Sequence, residues 1–327
     1  MKKSYIKKCT LILIMTIIMS IAIIGCGRNN TKDNLNQPLP MDENTNTPMP
    51  EEEKIDIKEM IEITEPEVKQ DIDDEFDLPD TNPHPLQIVF LGETNLDAYR
   101  NDTGIAYLVG FECDARIYNL SIGGSTVAVF GEEDCEESQK KNSQSLVGMT
   151  NILAGKASVS DIEGTRAAEL IRDFKVEETD YFVIMYGAQD FIRGIPLDAP
   201  EYEGGIDTYV GALRKAIENL REVAPLADFV LCAPHYSQFF DENGVFIGDG
   251  HVLSNGHSFL FDYKGKIEYV ANEQKAIFLN AFQDLGIDGY TAADFLDDGV
   301  HLSERGRKIY AQRLSKMILD HEKKFYN

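Results

Sequence analysis

The sequence predicts an α/β domain over residues 86–327, a parallel sheet with helices on both faces. Three observations carry this. Five short apolar runs recur along the segment. They are continuous rather than alternating, as in strands buried on both faces. Between them, apolar residues repeat at helical spacing, and strands alternating with helices build parallel sheets.

Taken in order, the first strand is Gln87–Leu91, and a helical pattern over Gly104–Phe111 leads to the second, Arg116–Leu120. Residues 127–160 begin with an acidic stretch (Glu132, Glu133, Asp134, Glu136, Glu137) and continue through Met149 and Leu153; they read as an insertion overhanging the strand ends. The third strand is Tyr181–Tyr186. The clearest helix spans Ile206–Val223, with Tyr209, Leu213, Ile217 and Leu220 on one stripe, before the fourth strand Phe229–Ala233. Residues 236–263, with Phe239, Phe240, Phe246 and Gly-rich turns, are a second overhanging insertion. A helix over Lys264–Ala271 precedes the fifth strand, Ala276–Asn280. Ser303–Leu319 closes the chain as a helix, with Ser303 as N-cap and Ile309, Leu314 and Ile318 on its stripe.

The first 85 residues differ in kind. Lys2, Lys3, Lys7 and Lys8 precede an apolar run from Leu11 to Ile24, then Gly25 and Cys26. A basic region, a short apolar core and a small residue before a cysteine describe a secretory signal. Ile23-Ile24-Gly25-Cys26 resembles a bacterial lipoprotein lipobox, which implies cleavage of residues 1–25 and lipidation of the Cys26 thiol. The plainer alternative is an uncleaved signal anchor. Residues 28–85 carry 17 acids, 5 bases and 8 of the 12 prolines, so 26–85 reads as a disordered acidic tether. The expected location is the bacterial envelope, with the membrane reached through the lipid.

The whole chain carries a formal charge of −25, which repels phosphate backbones and excludes nucleic acid as a partner. Five cysteines are too few for a disulfide scaffold; Cys113 and Cys135 are a candidate pair, and Cys232 lies on a strand and is expected to be buried.

In parallel sheets ligands bind at the carboxyl ends of the strands. There the sequence places Gly92-Glu93-Thr94-Asn95 after strand one, Gly123-Gly124-Ser125-Thr126 after strand two, Gly187-Ala188-Gln189-Asp190 after strand three, and Asp298-Gly299-Val300-His301 after strand five. In order and spacing these blocks resemble the SGNH/GDSL hydrolases, over most of 86–327. The resemblance implies a flavodoxin-like three-layer α/β/α sandwich with a five-stranded parallel sheet. It also implies hydrolysis of a carboxylic ester, an O-acyl or acetyl group on a glycan or a small ester, without metal or organic cofactor.

By position, the resemblance implies Thr94 as nucleophile, His301 as base and Asp298 as its orienting partner. The Thr94 and Gly124 amides and the Gln189 side chain would form the oxyanion hole. Glu93, Asp190 and His235 are further candidates around the hole and the substrate. Three signature positions depart by one carbon each: Thr94 for Ser, Gln189 for Asn and Glu93 for Asp. The threonine methyl stiffens χ1 and crowds the approach of an acyl carbon. The longer amide at Gln189 shifts a donor that must lie about 2.7–3.1 Å from the developing charge. Two readings therefore stay open: a hydrolase using Thr94, and a ligand- or glycan-binding lipoprotein using the same pocket.

Other candidates read more plainly. His251 and His257, with Asp249, lack the three or four converging ligands of a metal site. Ser125 is a turn residue outside any G-x-S-x-G pattern. Gly123-Gly124 lacks the lysine and spacing of a phosphate loop.

Overall fold

The computed structural model describes residues 85–131, 135–199 and 205–325. The signal over 1–25, Cys26 and the tether to residue 84 lie outside the described residues.

The central sheet has the order β2-β1-β3-β4-β7, all parallel. Its strands are β1 (Gln87–Gly92), β2 (Arg116–Asn119), β3 (Tyr181–Met185), β4 (Asp228–Cys232) and β7 (Ile277–Leu279). These are the five expected strands, each within a residue or two of its sequence bounds. β1 and β3 are buried throughout because both faces are covered; each fully buried Val, Leu, Ile or Phe contributes about 1.5–3 kcal/mol. β2 lies at an edge, so Arg116 is exposed and Ile117 and Tyr118 are half-buried, with Tyr118 packed against Phe174.

Right-handed crossovers decide which helix covers which face. The chain moves from β1 outward to β2, then back across the sheet to β3, β4 and β7. The first connecting helix, α2 (Ile105–Cys113), therefore lies on one face, joined by the last helix, α11 (Glu304–Phe325). The other face carries α4 (Leu146–Leu153), α5 (Arg166–Ile171), α7 (Tyr209–Val223) and α8 (Leu260–Gln274). Short helices fill the turns: α1 (Thr94–Asp97), α3 (Glu136–Gln144), α6 (Ala188–Ile192), α9 (Ala281–Asp284) and α10 (Ala292–Phe295).

Helix α7 begins at Tyr209 because the Thr208 hydroxyl accepts the Gly211 amide hydrogen at 3.2 Å. In α11 the Ser303 hydroxyl takes the Gly306 amide at 3.3 Å, as its sequence predicts. The buried stripe of α11 runs through Arg307, Tyr310, Leu314 and Ile318, so Ile309 sits at its margin.

Of the two expected overhangs the first is corrected, while the second does lie against the strand-end turn at Gly299, where the Gln238 amide donates to the Gly299 carbonyl at 2.8 Å. In residues 127–160, α4 buries Leu146, Val147, Met149 and Ile152 against α7 and belongs to the helical layer. In residues 236–263 a two-stranded antiparallel sheet forms, β5 (Gln238–Phe240) with β6 (Phe246–Asp249). Phe239 enters the core while Phe246 is exposed. The candidate disulfide is also corrected. Cys113 is buried at the end of α2, with Sγ 3.9 Å from the Ser315 carbonyl, whereas Cys135 is on the surface, and both are free. Cys232 is buried on β4, as expected. Among the described residues no helix is long and apolar enough to cross a membrane.

Candidate functional site

The switch point of this sheet lies between β1 and β3, where crossovers depart in opposite directions, and that is where ligands bind in open α/β sheets. β1 delivers Thr94 to it, directly after Gly92-Glu93. β2 delivers the turn through Gly124, and β3 delivers Gln189 on the first turn of α6. The segment between α10 and α11 brings Asp298 and His301.

The Thr94 Oγ1 accepts the Gly124 amide hydrogen at 3.1 Å. Gly124 has φ +68°, in the left-handed region where a side chain is strained, and this turn directs its N–H at Thr94. The Gln189 side chain makes no hydrogen bond among the described residues, so its amide is available to a ligand. Its backbone N–H is taken by Glu93.

The Asp298–His301 turn is closed at its base by pairing of Leu296 with Leu302 and by the Asp297 N–H to the His301 carbonyl at 2.8 Å. Asp298 Oδ1 accepts the Val300 and His301 amides at 2.9 and 2.7 Å, and Oδ2 meets His301 Nδ1 at 2.5 Å. Burial works to raise the Asp298 pKa, but the bonds and charge of His301 and the two amides outweigh it and hold the carboxyl at about 2. An ionised carboxylate only accepts, so Nδ1 carries the ring proton and Nε2 of a neutral ring is left as a base. Gly299, at φ +91°, lets the turn lie against the β5–β6 hairpin, where a Cβ would sit 2.4 Å from the Gln238 carbonyl. No Thr94–His301 hydrogen bond is present; such contacts are often long until a substrate closes them.

The remaining sequence candidates are placed differently from expectation. Glu93 is buried, and its two oxygens accept the Ala188 and Gln189 amides at 3.2 and 2.9 Å, capping α6. Asp190 is fully buried and accepts the Val127 amide at 3.0 Å and the Ala128 amide at 3.4 Å. Neither carboxylate faces substrate: each ties one strand-end segment to another. Burial pushes both well above the usual carboxylate range, and for Glu93 the neighbouring Asp190 adds to it. The Arg193 guanidinium draws both back down. His235 is also buried, with Nε2 2.8 Å from the Val300 carbonyl. A carbonyl only accepts, so Nε2 is protonated, and burial lowers the ring's pKa to about 4. His235 is thus a neutral prop under the His301 turn rather than a substrate contact. Ser125 bonds the Ile122 carbonyl at 2.6 Å, as a turn residue does.

Sequence reasoning missed the groups that hold these pieces together. Asn95 Oδ1 accepts the Leu302 amide at 2.8 Å, joining helix α1, which carries Thr94, to the His301 turn. Asp97, Arg100 and Arg193 surround the Gly124 turn. The one signal for them was the i, i+3 spacing of Asp97 and Arg100, which reads equally as a surface ion pair. A cavity of about 340 Å³ beside Tyr236, Asp249, His251 and Phe282 lies farther along the carboxyl edge, past β4. A groove of about 660 Å³ between the ends of α7 and α8 lies at the amino edge, away from this chemistry.

Comparison with known proteins follows the same lines. No curated protein matches the chain. One crystal structure aligns with a TM-score of 0.55 at 17% identity, over 72% of this chain and 97% of that one. A possible lipase from Chitinophaga pinensis aligns at 0.49, with 16% identity over 72% and 98% of the two chains. Est24, a carbohydrate acetylesterase from Sinorhizobium meliloti, aligns at 0.46, with 13% identity over 72% and 99%. The first of these likenesses supports the three-layer fold. The GDSL-like lipase/acylhydrolase model matches residues 88–314, most of the chain and every strand-end segment described above. The chain therefore belongs to the GDSL-like lipase/acylhydrolase family.

Proposed function

We propose that this protein hydrolyses a carboxylic ester, an O-acyl group carried by a glycan or a small molecule, with Thr94 as nucleophile. The observation that carries this is the Asp298–His301 pair at 2.5 Å, with its tautomer fixed, in a family whose chemistry uses that pair. His301 Nε2 takes the Thr94 hydroxyl proton as Oγ1 attacks the ester carbon. The carbonyl electrons move to oxygen, where the Gly124 amide, the Thr94 amide and the Gln189 side chain donate hydrogen bonds. Collapse expels the alcohol, which receives the proton from His301. Water then repeats the sequence, releasing the acid and restoring Thr94. Exposed Phe246, packed on Phe240 beside the Asp298 turn, offers an apolar face to the acyl or sugar part of the substrate. Lipidation at Cys26 would hold this domain at the envelope surface on its acidic tether.

One observation favours a second reading, a binding protein without turnover: Thr94 Oγ1 is engaged by Gly124 and not by His301. The full chain assayed on aryl acetates and butyrates separates the two. Hydrolysis predicts turnover that Thr94→Ala and His301→Ala abolish and Thr94→Ser keeps or raises. A silent wild type beside an active Thr94→Ser variant would overturn hydrolysis in favour of binding.

A further inference from the structure

The peptide that carries the Gly124 N–H is bracketed by side chains on both sides. On one side the Gly123 N–H donates to Asp97 Oδ2 at 2.7 Å. On the other the Gly124 carbonyl accepts from Arg193 Nη2 at 3.2 Å. Asp97 is itself held by Arg100, whose Nε and Nη2 donate to Asp97 Oδ1 at 2.9 and 2.7 Å. The same guanidinium donates to the Asn119 and Ser121 carbonyls, both at 2.7 Å. Arg100 thus makes four hydrogen bonds, two to the nucleophile helix and two to the turn leaving β2. Asp97 lies three residues beyond Thr94 on α1, so one short helix carries both the nucleophile and the anchor of its oxyanion donor.

We propose that Asp97 and Arg100 form a positioning pair that sets the Gly124 amide on Thr94. For catalysis this rests on the hydrolase reading. An oxyanion donor acts only when it lies about 2.7–3.1 Å from the developing charge, so a loosened turn lowers the chemical step and leaves ground-state binding intact. A fork-shaped guanidinium can hold two carbonyls and a carboxylate oxygen together; a lysine ammonium cannot take all four bonds in that geometry.

The test measures two things on the full chain: amide hydrogen exchange over residues 119–126, and kcat and KM on an aryl acetate. Asp97→Ala and Arg100→Lys are expected to speed exchange at Gly123 and Gly124 at least about tenfold. They are expected to lower kcat by about 10–10² with KM within about twofold. Asp97→Asn keeps one acceptor for the Gly123 amide but turns an NH₂ toward the Arg100 donors, and is expected to fall between the wild type and Asp97→Ala in both readouts. Arg172→Gln, which loses only an exposed ion pair with Glu163, changes neither. Unchanged exchange at Gly123 and Gly124, or a rise in KM with kcat intact, would overturn the positioning role. If the wild type hydrolyses nothing, the hydrolase reading falls on that result, and exchange alone decides whether the pair holds the turn.

Discussion

At Thr94 one side chain carries a hydroxyl that can attack and a methyl that obstructs. The methyl limits χ1 to few wells, and the well occupied here points Oγ1 at the Gly124 amide. Rotation toward His301 must give up that bond, which a substrate carbonyl oxygen would replace. At Asp298 the ionised carboxylate can only accept, and this fixes the ring proton of His301 on Nδ1. Asp298→Asn should lower kcat by about 10⁴, since an amide NH₂ facing Nδ1 favours the ring proton on Nε2 and removes the base. Single-turnover kinetics on an aryl ester check this, and a loss of less than tenfold would argue against the pair as the reacting dyad. Glu93, with its longer carboxylate, reaches the Ala188 and Gln189 backbone amides and fixes the start of the helix that carries Gln189. Two of the three altered signature positions therefore touch each other, Glu93 through the backbone of Gln189.

At the scale of elements, stability rests on helices seated by a cap and a stripe. Ile217 is fully buried on α7, so Ile217→Ala should cost about 2–5 kcal/mol. Thr208→Ala removes the cap and should cost about 1 kcal/mol. Urea unfolding of the full chain reads both. The same features explain what could be read from sequence. Strands such as Tyr181–Met185 are buried on both faces and leave continuous apolar runs, so the central strands were legible; edge strands β2 and β7 are only partly buried and were read from shorter apolar runs in the same alternation with helices. Helix α7 was legible from Leu213, Ile217 and Leu220. Helix α4 was not, because its burial comes from a neighbouring helix, and a short apolar segment after an acidic run carries no mark of that. At the site, the segments holding Thr94, Gly124, Gln189, Asp298 and His301 were legible from their order and spacing after the strands, and the resemblance to the family implied which residues in them to single out. The inward turn of Glu93, Asp190 and His235 was not. An ionisable residue at a strand end reads the same whether its head faces solvent or a backbone amide, and only packing decides.

For the whole molecule, the buried groups set a pH dependence with a definite sign. Burial raises Glu93 to about 8 and Asp190 to about 7, so the folded state binds more protons than the unfolded chain through that range. Stability from this source is complete at low pH and is lost as pH rises. His235, lowered to about 4, acts oppositely, gaining stability up to its ordinary value of 6.5. Above about pH 6.5 the carboxyls act without that opposition, and Tm should fall toward pH 8. Asp190→Asn should flatten the fall, and scanning calorimetry at several pH values checks it; a Tm that rises between pH 6.5 and 8 would contradict the assignment. Finally, the bond from the Leu302 amide to Asn95 spans 207 positions of sequence. During synthesis, a chain that has emerged only as far as residue 297 already holds Thr94, Gly124 and all five strands of the central sheet but lacks His301. The segment at Thr94 is therefore tied down only after the residues beyond β7 have been made, and on the hydrolase reading proposed above the site is complete only at that point.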